Sequence, residues 1–153
     1  MLSSNVAPAF IRKESVSPLP GTETILIVDD EHAVLGLTHL MLRRSGYALI
    51  PASSGKEALH LFEVWPDLEV DLLMADIVMP GMNGVELAEE IRVLRPNLPV
   101  LFFSAYSDQE ILRPVIARRV PYIAKPFTAL QLTKKIREVL DKPKTASKGS
   151  AGT

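Results

Sequence analysis

The run Val70-Asp71-Leu72-Leu73-Met74-Ala75 is apolar apart from Asp71, and it stops at Asp76. A short apolar run of this kind reads as a buried strand. Pro80, Gly81, Asn83 and Gly84 then impose a turn, and a helical pattern resumes at Val85. An acid therefore stands at the carboxyl end of a central strand, beside a loop. Open parallel sheets place their ligand sites there. A lone Asp in such a place more often caps a strand or enters a turn, so the rest of the chain decides its meaning.

Four more strands are legible. Thr24–Val28 is a β-branched apolar run ending in Asp29-Asp30-Glu31. Tyr47–Ala52 carries Pro51, which suits a sheet edge. Leu98–Phe103 leads into Ser104, and Pro121–Ala124 leads into Lys125-Pro126-Phe127. Helical stripes separate the strands. Val34, Leu37, Met41 and Ser45 mark the first, stopped by Gly46. Ser54-Gly55 opens the second, with Ala58, Leu61, Phe62 and Trp65 on one face. Leu87, Ala88, Ile91 and Leu94 form the buried face of the third. The fourth, within 107–119, contains Pro114. Proline lacks an N–H and clashes with the preceding turn, so a short irregular helix with Pro114 in or near its first turn is expected. Thr128 is the expected N-cap of the last helix, marked by Leu132, Ile136, Val139 and Leu140. Strands alternating with helices predict a doubly wound α/β parallel sheet with helices on both faces. Right-handed crossovers leave the flavodoxin-like order 2-1-3-4-5 as the best fit, with the proline-bearing strand at an edge.

Composition limits the function. The chain has 153 residues, 47% of them hydrophobic, and a net charge of −1. That is enough for one domain with a real core, and it carries no field directed at nucleic acid or anionic membrane. Residues 1–23 read as an N-terminal extension or linker, 24–141 as the domain, and 142–153, with Lys142, Lys144 and Lys148, as a basic disordered tail. Without cysteine there is no disulfide or thiolate metal site. No apolar run reaches a membrane span, and the N-terminus lacks a signal-peptide pattern, so a cytoplasmic protein is expected. His32, His39 and His60 are scattered and read as surface positions.

All strands of a parallel sheet point the same way, so Asp29, Asp30, Asp76, Ser104 and Lys125 gather on one rim. Carboxylates about 4 Å apart repel by roughly 4 kcal/mol per pair at an effective dielectric near 20. Such a cluster calls for a cation, and an all-oxygen set favours Mg²⁺. A lysine and a hydroxyl beside it suit the remaining oxygens of a phosphoryl group, and an Asp carboxylate is an established phosphoryl nucleophile.

In these motifs residues 24–141 resemble a response-regulator receiver domain of two-component, or phosphorelay, signalling. The residues that carry the resemblance are Ile27-Val28-Asp29-Asp30-Glu31, Asp76-Ile77-Val78-Met79-Pro80-Gly81-Met82-Asn83-Gly84, Ser104 and Tyr122-Ile123-Ala124-Lys125-Pro126-Phe127. The resemblance implies Asp76 as phosphoacceptor. It implies Mg²⁺ held by Asp30 and Asp76 directly, by Asp29 through water and by the backbone carbonyl of Val78. Ser104 and Lys125 would bind phosphoryl oxygens, Ser104 and Tyr122 would form the switch, and the bond before Pro126 would be cis. Two variable positions, Val78 and Tyr106, would tune the lifetime of the phosphorylated state.

The implied donor is a sensor histidine kinase or a histidine phosphotransfer protein. The implied output is a protein target met through helix 4, strand 5 and helix 5, and a homodimer is compatible with it. The only catalysis expected is of the domain's own phosphorylation and slow dephosphorylation. The chain is also similar to the C-terminal receivers of hybrid sensor kinases, and is read as such a module standing alone. Arg118-Arg119-Val120-Pro121 departs from the small-residue turn usual before strand 5. Two other readings compete. An Mg²⁺-dependent phosphatase with an Asp nucleophile would carry a second Asp two residues later, where Val78 stands. A phosphorylation-independent pseudo-receiver usually lacks an acid or the lysine, and none is missing here.

Overall fold

The computed structural model describes residues 19–105 and 109–142. Residues 1–18, most of the basic tail and Tyr106 lie outside the described residues. The elements alternate as expected: β1 (Thr24–Val28), α1 (His32–Arg44), β2 (Ala48–Ala52), α2 (Gly55–Val64), β3 (Leu72–Asp76), α3 (Gly84–Leu94), β4 (Val100–Ser104), α4 (Gln109–Ala117), β5 (Tyr122–Ala124) and α5 (Ala129–Leu140). The strands form one parallel sheet in the order β2-β1-β3-β4-β5. Pro51 lies on the edge strand β2, where a missing donor is tolerated.

Successive strand side chains point to opposite faces, so the sheet builds two cores. On one face Leu26, Val28, Leu73, Ala75 and Phe102 pack with Phe62 of α2, Leu87 and Ile91 of α3, and Leu112 of α4. On the other, Ile25, Ile27, Met74, Leu101 and Phe103 pack with Leu42 of α1 and with Leu132 and Ile136 of α5. A fully buried Leu or Ile contributes about 1.5–3 kcal/mol, so β1, β3 and β4, buried along almost their whole lengths, anchor the rim at their carboxyl ends.

Helix starts are set by local chemistry. Ser54 Oγ accepts from the N–H of Glu57 at 3.0 Å. Asn83 with Glu86, and Thr128 with Gln131, form reciprocal capping boxes. The stripes need three corrections. Leu37, Trp65 and Leu94, expected in the core, are 56%, 55% and 51% exposed. On α1 the buried stripe runs through Thr38 and Leu42, one residue off the expected phase. On α2 and α3 burial stops at Phe62 and Ile91, two and three residues before the helices end.

Pro114 is also placed differently. It is the sixth residue of α4, past the first turn. There it removes one intrahelical N–H bond, while the C-terminus of α4 is closed by backbone bonds. Arg119 donates to the carbonyl of Ile116 and Val120 to that of Val115, both in the pattern of a Schellman motif. Gly46 ends α1 in the same way at φ 100, whereas the α4 motif puts Arg119 at φ 58. The usual small-residue turn is thus replaced by an arginine held in the left-handed region.

Residues 19–23, read from sequence as linker, are tied to the domain. The N–H of Leu19 donates to Thr133 Oγ1 at 2.9 Å, that of Gly21 to the Ser45 carbonyl, and Glu23 pairs with Arg137 at 2.6 Å.

Candidate functional site

Register brings the rim residues together. Val28 pairs with Ala75 across β1 and β3, so Asp29 and Asp76 both follow directly at the carboxyl edge. Asp76 pairs in turn with Phe103, and Ser104 with Ala124. The next residue, Lys125, donates its backbone N–H to the Ser104 carbonyl at 2.8 Å. The loop after β3 folds back over this edge, because Gly84 packs on the carbonyl of Asp76, where a Cβ would collide with backbone.

The Lys125 ammonium lies 2.8 Å from Asp76 Oδ2, 3.1 Å from Asp29 Oδ2 and 3.4 Å from Glu31 Oε1. Asp29 is fully buried, and its Oδ1 also accepts from the Glu31 N–H at 2.9 Å. Asp76 Oδ1 accepts from the N–H of Val78 at 3.2 Å. Phe103 lies beneath the lysine, its ring centroid 5.9 Å from Nζ, and Phe127 packs beside it. The Lys125–Pro126 peptide is cis.

Burial pushes the Asp76 carboxyl above the usual aspartate range. The Lys125 hydrogen bond opposes this rise and the Asp29 charge adds to it. Burial disfavours the Lys125 ammonium, but the Asp76 and Asp29 carboxylates outweigh it and hold the lysine above its ordinary value. The lysine stays charged and both acids remain within its reach.

Asp29, Asp30 and Asp76 each offer a carboxylate oxygen, and these oxygens lie within 4.8 Å of one another. One ammonium among these three carboxylates and that of Glu31 leaves the rim net negative, a donor set suited to a hard divalent cation. Ser104 is buried on the same rim, with its hydroxyl donating to the Ala105 carbonyl at 3.2 Å. Val78 is 45% exposed at the mouth of the site, and Tyr122 is half-buried on β5. The sequence reading gave Glu31 no role, yet it is a third carboxylate on Lys125. Its position directly after Asp29-Asp30 was the available signal.

Residues 25–137 match the family model of the response regulator receiver domain. The chain is 35% identical over 138 residues to the sensor kinase CckA of Brucella abortus, which covers 90% of this chain and 14% of that protein. It is 31% identical to the alkaline phosphatase synthesis transcriptional regulatory protein PhoP of Bacillus subtilis, over 82% of this chain and 52% of that protein. The chain thus spans about half or less of these curated relatives. The crystal structure of a putative response regulator from Chloroflexus aurantiacus superposes with a TM-score of 0.70 at 32% identity, covering 80% of this chain and all of the other. A doubly wound sheet with an acidic, lysine-bridged rim defines a phosphoryl-accepting signalling module. The chain belongs to the response regulator receiver domain family. It is a phosphoacceptor switch of two-component signalling, a class whose acidic pocket binds Mg²⁺. Among the described residues no helix is long and apolar enough to cross a membrane.

Proposed function

We propose that Asp76 accepts the phosphoryl group from a phosphohistidine of a sensor kinase or histidine phosphotransfer protein. A carboxylate oxygen of Asp76 attacks phosphorus, the P–N bond breaks, and its electron pair returns to the imidazole nitrogen. The observation that carries this reading is Lys125 bridging Asp29 and Asp76 at 3.1 and 2.8 Å. It supplies fixed positive charge where the transferring oxygens gather. Asp29, Asp30, Asp76 and the Val78 carbonyl are the proposed Mg²⁺ ligands. The ion would supply further charge neutralisation on the same oxygens.

Ser104 takes one phosphoryl oxygen of the product and Lys125 another. Tyr122, on the neighbouring strand, follows the movement of Ser104. The output face is α4, β5 and α5, where a cleft of about 450 Å³ is lined by Ile116, Arg119, Tyr122 and Lys135. Residues 24–141 form the working unit, in the cytoplasm, and the domain turns over no substrate beyond its own acyl phosphate. The test is incubation with a small acyl-phosphate donor and Mg²⁺. Intact wild-type protein should gain the mass of one phosphoryl group, while folded Asp76→Asn gains none. Equal labelling of the variant would refute the assignment.

A further inference from the structure

Of the three stripe residues missing from the core, two meet at one place. Trp65 caps the C-terminus of α2 and Leu94 is the last residue of α3. Beside them Val64 and Val93 are 47% and 80% exposed. Arg95 ties the two helix ends together. Its guanidinium donates to the carbonyls of Pro66 at 2.6 Å and Leu68 at 2.7 Å, and lies 4.7 Å over the Phe62 ring. Both helices start at the phosphoacceptor rim and run back along the sheet. At 1.5 Å per residue, their far ends lie about 15 Å from that rim. Scattered exposed apolar residues need no explanation, but four together, including the chain's single tryptophan, resemble a contact anchor.

The surroundings choose the partner. Asp67, Glu69 and Glu90 are exposed on these same helix ends and the loop that follows α2, with Glu63 beside them 3.4 Å from His60, against the cations Arg92 and Arg95. Arg95 is already engaged by carbonyls. Both sides of the patch are helix ends, with no free strand edge for an extended peptide to pair with, so an occupant must satisfy its own backbone. A cleft of about 380 Å³ begins at Arg95, the residue after Leu94, and runs past Pro96, Leu98, Val70 and Asp71 to Glu23 and Leu140, with room for an anchoring side chain. We propose that the joined ends of α2 and α3 dock a basic amphipathic helix of a partner protein. Its apolar stripe would lie on Trp65 and Leu94 and its lysines or arginines on the surrounding acids. The site faces away from Asp76, so it would hold a partner without covering the phosphoacceptor.

The test titrates the full chain with a lysine–leucine amphipathic helix of about 18 residues and with its glutamate–leucine counterpart, reading Trp65 emission. The basic helix should bind saturably with a blue shift, and the acidic one should not. Val93→Glu with Leu94→Glu should raise Kd at least tenfold, read by calorimetry, while Leu40→Glu, at a half-exposed leucine of α1, should leave it within twofold. Should the double variant melt early, Trp65→Arg must give the same loss. Equal affinity for both helices, full affinity in the patch variants, or loss with Leu40→Glu would overturn the proposal. So would sedimentation velocity showing the patch covered by a second copy of the chain.

Discussion

Lys125 Nζ lies 2.8 Å from Asp76 Oδ2 and reaches Asp29 Oδ2 from the same atom, so one ammonium holds two buried carboxylates from different strands. Removing one partner of a buried pair typically costs 3–5 kcal/mol, because the charge left behind stays desolvated. Lys125→Met should therefore destabilise the fold by about 3 kcal/mol in chelator, measured by urea unfolding. A change below about 0.5 kcal/mol would mean that the rim is well solvated and that the lysine is structurally idle.

The rim around that lysine stays net negative, and a divalent cation binding only the folded rim stabilises it by RT ln(1 + [L]/Kd). Mg²⁺ at 100 times Kd should add about 2.7 kcal/mol, seen as a higher Tm. Asp30→Asn should remove most of this rise. Lys125 reaches Asp29, Glu31 and Asp76 but not Asp30, so loss of the Asp30 carboxylate leaves the lysine bridge intact. An undiminished Mg²⁺ response in Asp30→Asn would exclude it from the ligand set.

The strands and the composition of the rim were legible because both follow from local pattern, and the crossover rule with the edge proline then gave the strand order. Apolar runs gave the strands, and the polar residue ending each run gave the rim. Packing phase was less legible. Leu37 and Thr38 differ by one position on α1, and the sequence favours the leucine, yet the sheet buries the threonine. Trp65 and Leu94 fit their stripes, but periodicity carries no information about where the sheet beneath a helix stops supporting it. Glu31 was missed as a lysine partner because its reach depends on where Lys125 enters from β5, a long-range placement that no local window contains.

Glu23 sits below the ordinary glutamate range, chiefly through its hydrogen bond to Arg137, against a smaller opposing push from burial. A depressed acid stabilises the fold above its unfolded pKa, and the contribution is lost as pH falls through the folded one. Glu23→Gln should cost about 1 kcal/mol at pH 7, the scale of a partly exposed charge-assisted pair. The gap should close below about pH 4. Urea unfolding at both pH values checks this, and a gap that widens on acidification would reverse the sign.

Arg119 occupies the left-handed position that glycine fills at Gly46, in the same hydrogen-bonding motif. A non-glycine residue held there carries about 1 kcal/mol of strain or more, while glycine adds unfolded-state entropy of about 0.5–1 kcal/mol. Arg119→Gly should come out more stable by a few tenths to about 1 kcal/mol, and Arg119→Ala close to neutral. A glycine variant less stable than the alanine one would show that the strain is not real.

Decay of an acyl phosphate on Asp76 requires a water in line with the bond from carboxylate oxygen to phosphorus. Val78 stands two residues after Asp76, bound to it through its backbone N–H at 3.2 Å, with an apolar side chain 45% exposed at the mouth of the site. It can neither orient a water nor exchange a proton. Tyr106, outside the described residues, is the second tuner that the family resemblance implies, and its side chain is bulky and lacks an acid or amide group. Both choices should slow hydrolysis. The phosphorylated protein should therefore decay slowly, Val78→Asn should shorten its lifetime several-fold, and Val78→Asn with Tyr106→Glu should shorten it further. Loss of phosphoryl mass with time after removal of the donor gives the rate directly. Equal lifetimes in wild type and both variants would mean that water reaches phosphorus by a path neither residue controls.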